Sequence, residues 1–155
     1  MTPRIRPARP DEAAELTELA LRSKAHWGYD AQFLARCRAE LTLTPETVAD
    51  HPVAVAERDG RPVGLAALAG DPPDVELAML FVDPPAIGTG AGRALFDHAA
   101  ATARSLGARV LWIEADPGAE PFYRHVGATP AGTSVSPSTG RELPRLRYDL
   151  HAGRD

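Results

Sequence analysis

The chain has 155 residues, 44% of them apolar and 25% charged, enough for a globular core, and residues 1–155 are expected to form one domain. A net charge of −4 argues against broad nucleic-acid binding, which needs a basic face, and no apolar run approaches the roughly 18 residues of a membrane span. Cys37 is the only cysteine, so no internal disulfide can form, and with no apolar core near the N-terminus the expected location is the cytoplasm.

In chain order, Arg4–Ala8 alternates like a short edge strand. Asp11 is placed to cap a helix with Leu16, Leu19, Ala20 and Ser23 on one face. The segment SKAHWGYD (Ser23–Asp30) interrupts it, and Ala31–Leu41 reads as a second helix with Phe33, Leu34, Cys37 and Leu41 at helical spacing. Val53–Glu57 and Arg61–Ala69 flank the turn signal Asp59-Gly60, a predicted hairpin. Asp74–Val82 is the next strand. Gly90–Leu106 is a helix with Leu95, Ala99, Thr102, Ala103 and Leu106 on one face, closed by Gly107. Arg109–Glu114 reads as a buried strand. Asp116–Val126 is a short helix that holds Pro121 in its first turn and ends at Gly127. Thr129–Val135 and Leu143–Leu150 are the last strands, joined by Ser136–Glu142. The order is that of an α/β sandwich whose sheet is antiparallel in its first half.

The stretch FVDPPAIGTGAGRALFDHAA (Phe81–Ala100) sets three alternating glycines at the mouth of a helix. Glycines let a backbone approach a ligand, and the first helical N–H groups have no internal partner. With the helix dipole they make an anion site suited to phosphate. A tight turn without a ligand is the alternative. Arg93 and Ala94 follow Gly92, so the Lys and hydroxyl of a Walker loop are missing. A dinucleotide-binding turn is a rival, with Glu114 about where a ribose-binding acid would stand, but its third glycine is misplaced and Asp83–Ile87 separates strand from glycines.

Two segments carry a family resemblance. VDPPAIGTGAGRALF resembles the acyl-CoA-binding segment of the GCN5-related N-acetyltransferases (GNAT), [RQ]-x-x-G-x-[GA], with Ile87 where Arg or Gln is usual. DPGAEPFYRHVGA (Asp116–Ala128) is similar to the family's N-x-x-A-x-x-F-Y-x-x-x-G-F, with Asp116 for Asn and Ala128 for the aromatic. The resemblance spans the chain in element order. It implies the GNAT fold, a mixed, mostly antiparallel central sheet flanked by helices. It implies acetyl-CoA as co-substrate, its pyrophosphate held by main-chain donors of Ile87, Gly88, Thr89, Gly90, Ala91, Gly92 and Arg93, with Asp116 close by. Phe81 and Val82 stand where the family's splayed strand offers donors to the thioester and pantetheine. Tyr123 is the implied acid for the departing thiolate, a phenol of pKa ~10 opposite a thiol near ~8.5. Packing is its other reading. Glu76, on the strand before the glycines, is a candidate base, with a solvent-facing strand Glu as the alternative. Trp27 and Tyr29 lie where the family builds its acceptor site and could cage an amine; a packed helix corner is the alternative.

The implied reaction is direct transfer of an acetyl group from acetyl-CoA to a primary amine of a small molecule or amino acid. A non-catalytic acyl-CoA sensor and a protein N-terminal or lysine acetyltransferase stay open. The five histidines show no metal-site spacing, so no metal is expected. Neither nucleic acid nor membrane is an expected partner, and a homodimer is compatible with the family.

Overall fold

A computed structural model describes residues 3–150. Fifteen short elements alternate along it. The strands are β1 (Arg4–Pro7), β2 (Val53–Arg58), β3 (Arg61–Ala69), β4 (Asp74–Val82), β5 (Val110–Glu114), β6 (Thr129–Val135) and β7 (Glu142–Asp149). They form one sheet in the order β1-β2-β3-β4-β5-β7-β6. Only β4 and β5 are parallel; every other pair is antiparallel. The hairpin joining β2 to β3 turns on Asp59 and Gly60, both at positive φ, as the Asp-Gly signal predicts.

The helices α1 (Ala13–Ala25), α2 (Ala31–Leu41) and α3 (Pro45–Asp50) cover one face, and α4 (Ala91–Ser105) and α5 (Glu120–His125) the other. Leu16, Leu19 and Ala20 of α1 pack with Cys37 and Leu41 of α2 over Val55, Leu65 and Met79. Phe96 of α4, fully buried, anchors the opposite core with Leu95, Val75, Leu111 and Ile113. The stripe of α4 departs from expectation: Phe96 and Ala100 are buried, whereas Leu106 is 49% exposed past the last turn. β5 alternates, Leu111 and Ile113 inward, Trp112 half-buried and Glu114 exposed. The short helix after Asp116 begins as a 3-10 turn (Pro117–Ala119), and Pro121 sits in the first turn of α5.

Asp11 does not cap α1. It lies in a 3-10 turn, Pro10–Glu12, and Glu12 turns back to accept the Arg9 N–H at 2.8 Å. Glu12 is buried, and two guanidinium nitrogens of Arg6 reach its carboxylate at 2.7 and 3.0 Å. Arg6 also binds Glu57 on β2. The edge strand, its neighbour and the entry to α1 are thus joined by one guanidinium. Hydrogen bonds from Arg6 outweigh the cost of burial and hold the Glu12 carboxyl at about 2, below its ordinary 4.5. A depressed carboxyl contributes stability above its unfolded pKa and loses it as pH falls through the folded one. Glu12→Gln should therefore cost on the order of 2–3 kcal/mol at pH 7. The deficit should shrink between about pH 4.5 and 2, read by urea unfolding across that range.

Candidate active site

The parallel ladder between β4 and β5 runs from Asp74–Val110 to Leu77–Ile113 and stops. At that point β4 carries a bulge: Leu77 faces Leu68, Met79 faces Ala67, and Ala78 has no partner. The side chains change sides across it. Val75 and Leu77, then Leu80 and Val82, pack toward α4, while Met79 and Phe81 pack toward α1. The strands part, and a cleft of about 420 Å³ opens between them. Its walls are Leu77–Val82, the end of α1, the glycine loop and the start of α5.

At one end of the cleft, Gly88 and Gly90 hold φ of +84° and +91°, and a Cβ built on either meets no atom within 4 Å. The space above the loop is open where a backbone would face a ligand. The first bond of α4 runs from the Ala94 N–H to the Gly90 carbonyl at 3.0 Å, so the N–H groups of Ala91, Gly92 and Arg93 have no carbonyl within the helix. Gly90, Gly92 and Arg93 line the cleft, as does Ile87, 48% exposed. Residues 14–128 match the model of the acetyltransferase (GNAT) family.

The chain belongs to the GNAT acetyltransferases. As a GNAT enzyme it is an acyl-CoA-dependent N-acetyltransferase with acetyl-CoA as co-substrate. It is 35% identical over 147 residues to the peptidyl-lysine N-acetyltransferase YjaB of Escherichia coli, covering 92% of both chains. Its fold is that of a GCN5-related N-acetyltransferase from Rhodopseudomonas palustris, TM-score 0.80 and 22% identity over 96% of each chain. It is also that of the PaiA N-acetyltransferase of Thermoplasma acidophilum solved with coenzyme A, TM-score 0.74 and 17% identity over 96% of this chain and 99% of that one. The open glycine loop and the three outward amides of α4 fit a pyrophosphate, needing no lysine. A thioester supplies an activated acyl group.

Tyr123 lines the cleft from α5, its ring packed against Phe96 and Phe122. Burial pushes its phenol above the usual tyrosine range, so it keeps its proton through neutral and mildly alkaline pH. Phe81 and Val82 line the cleft on the parted stretch of β4. Thr89 is turned back, its hydroxyl bonded to the Ala86 carbonyl. Glu76 stands on the paired stretch of β4, outside the cleft walls, and takes a 2.9 Å hydrogen bond from Arg145.

The two aromatics of HWGYD do not share one wall. Trp27, 46% exposed, lines the cleft with its indole over Gly118, where a Cβ would come within 2.9 Å of the ring. Tyr29 turns to the far side, stacked on Phe33 and bonded to Asp116 at 2.6 Å. Asp116 is a hub. Its Oδ1 accepts the Gly118 N–H, and its Oδ2 meets Tyr29, the Lys24 ammonium at 3.2 Å and an Arg141 nitrogen at 3.6 Å. Burial pushes its carboxyl up, but these partners outweigh it and hold the group below the usual range.

Sequence reading missed three residues here. Glu114 lines the cleft at the end of β5, where β5 leaves β4; it was visible only as a ribose-binding acid in the rival reading. Lys24 and Arg141 gave one signal each, the first as the only lysine, the second as the end of the β6–β7 loop. Gly90→Asp should lower acetyl-CoA affinity about 100-fold or more, since it sets a carboxylate against the helix-mouth amides that would hold phosphate. Calorimetry checks this; unchanged affinity in a folded variant would remove the phosphate site.

Proposed function

We propose that the enzyme passes the acetyl group of acetyl-CoA directly to a primary amine of a small molecule or amino acid, both substrates being bound together. The observation that carries this reading is the cleft itself. It joins the glycine loop to a polar far side, with Tyr123 on the wall between them. Direct transfer is supported by Cys37, which lies in the α1–α2 core, its thiol pushed up by burial, and offers no thiolate to an acyl group.

In this reading the main-chain N–H of Val82, which the β3–β4 ladder turns away from β3, polarises the thioester carbonyl beside Phe81 on the parted stretch of β4. The amine loses its proton to Glu114, directly or through water. Glu114 is favoured over Glu76 because it lines the cleft, while Glu76 is held outside it by Arg145. The amine nitrogen adds to the carbonyl carbon, the C–S bond breaks, and Tyr123 gives its proton to the leaving thiolate. Trp27 walls the acceptor's approach.

A second reading takes a protein lysine as acceptor, favoured by the 35% identity to a peptidyl-lysine N-acetyltransferase. Initial rates with a panel of free amines, amino acids and lysine peptides, by coenzyme A release and product mass, decide between them. Turnover of peptides alone would reject the small-molecule acceptor.

Tyr123→Phe should lower kcat about 10²–10⁴-fold with little change in acetyl-CoA affinity. Because burial raises the phenol, the wild-type rate should rise with pH as amine and base lose protons, with no fall below about pH 10. An undiminished kcat with chemistry rate-limiting would make Tyr123 a packing residue. Glu114→Gln should cost about 10²-fold in kcat/KM at pH 7, less at alkaline pH where the amine deprotonates unaided. Glu76→Gln should stay within about threefold; the reverse ranking would restore Glu76 as the base.

A further inference from the structure

A smaller chamber, about 80 Å³, lies behind the far wall of the cleft. The two spaces share Lys24, Glu114 and Asp116. Its back is the β6–β7 loop, which brings Ser136, Ser138, Thr139 and Arg141 to it. Two features of this chamber have no role in the chemistry above.

The first is a surplus of donors. The Arg141 Nε–H is buried and has no hydrogen-bond partner. One of its other nitrogens donates to Tyr29 at 2.9 Å. An unpaired buried donor costs free energy, and native sites rarely keep one without use. Thr139 Oγ1 accepts the Arg141 N–H at 3.3 Å, which leaves its own proton to give. Ser136 and Ser138 share one bond at 3.3 Å, so one of their two protons is also spare.

The second is a pair of cations, Lys24 and Arg141, on the walls of the chamber. Lys24 and Arg141 share the single carboxylate of Asp116, on the same oxygen. Of the other carboxylates on the walls, Glu114 takes the Ser134 hydroxyl and Glu40 is exposed on α2. An unpaired guanidinium N–H with spare hydroxyl donors beside it fits an oxygen acceptor such as a carboxylate, and the chamber of about 80 Å³ has room for a group of that size.

Resting on the reading that the cleft acetylates an amine, we propose that this chamber holds the acceptor's carboxylate. The acceptor is then an amino acid, its amine facing Tyr123 and Glu114 and its carboxylate bound by Arg141 Nε and the loop hydroxyls. The ion cluster around Asp116 sets Arg141 in place: Tyr29 and Asp116 occupy its outer nitrogens and leave Nε free. Arg141 acts on binding, not on the acetyl transfer.

The test compares, for several amino acids, the free acid with its carboxamide and its decarboxylated amine, at saturating acetyl-CoA. The acid should exceed the decarboxylated amine at least about tenfold in kcat/KM, chiefly through KM, with the carboxamide between them. Arg141→Gln should bring the ratio near one, and Arg141→Lys should keep part of it. Equal rates for acid and decarboxylated amine in the wild type, or a ratio unmoved by Arg141→Gln, overturn the subsite while leaving amine acetylation intact. Should no free amine be acetylated, the small-molecule acceptor itself fails. The subsite is then read on the wild-type protein loaded with coenzyme A, by the Arg141 Nε–H resonance on titration with the amino acid. A saturable shift supports it, and an unmoved resonance overturns it.

Discussion

The structure depends on one irregularity, the extra residue Ala78 in β4. Parallel neighbours pair evenly along their length, and a continuous ladder between β4 and β5 would leave no opening in the sheet. The bulge twists β4 away after four paired positions, and the backbone groups beyond Leu77 that do not bond β3 face a cleft instead of β5. Buried backbone N–H and C=O groups need partners. A parted pair of strands in the middle of a sheet therefore calls for a ligand with its own donors and acceptors, as the amides of a pantetheine arm provide. The glycine loop at the start of α4 and Tyr123 on α5 stand beside that opening because both follow directly from the strands that frame it.

The far side is organised by charge. Asp116 ties together the end of α1 through Lys24, the α1–α2 turn through Tyr29, the β6–β7 loop through Arg141, and the start of α5 through the Gly118 N–H. Three stretches distant in sequence, around Lys24 and Tyr29, around Asp116 and around Arg141, are joined at this one carboxylate. An Asn here could cap the turn but would leave two cations without a counter-charge. The replacement of the family's Asn by Asp is thereby explained, given that Lys24 and Arg141 are in place. Trp27 completes the wall by lying across Gly118, which has no room for a side chain.

Much of this was legible in the sequence because it is written in local signals. Strand β4 and helix α2 fall on the expected residues, and the glycine and FY segments both come to line the cleft. Helix α3 was missed although Thr44 and Pro45 mark its start; six residues make too few turns to show a period. The bulge at Ala78 left no mark, since DVELAMLFV reads as a continuous apolar run whichever side each residue takes. For the same reason the sequence favoured Glu76, on the strand before the glycines, over Glu114; which carboxylate reaches the cleft is decided by where two strands separate. Tyr29 and Arg141 meet through contacts 112 positions apart, beyond the reach of any spacing argument.

The central claim is that coenzyme A lies along the parted stretch of β4 with its pyrophosphate at the mouth of α4. The most direct measurement is a titration of the isotope-labelled protein with coenzyme A, following backbone amide resonances. The largest shifts are expected at Phe81, Val82 and Gly88 through Arg93, and small ones at Glu76 and Trp112 on the paired stretch. Largest shifts on the paired strands or at the β2–β3 hairpin, with the glycine loop unmoved, would contradict it.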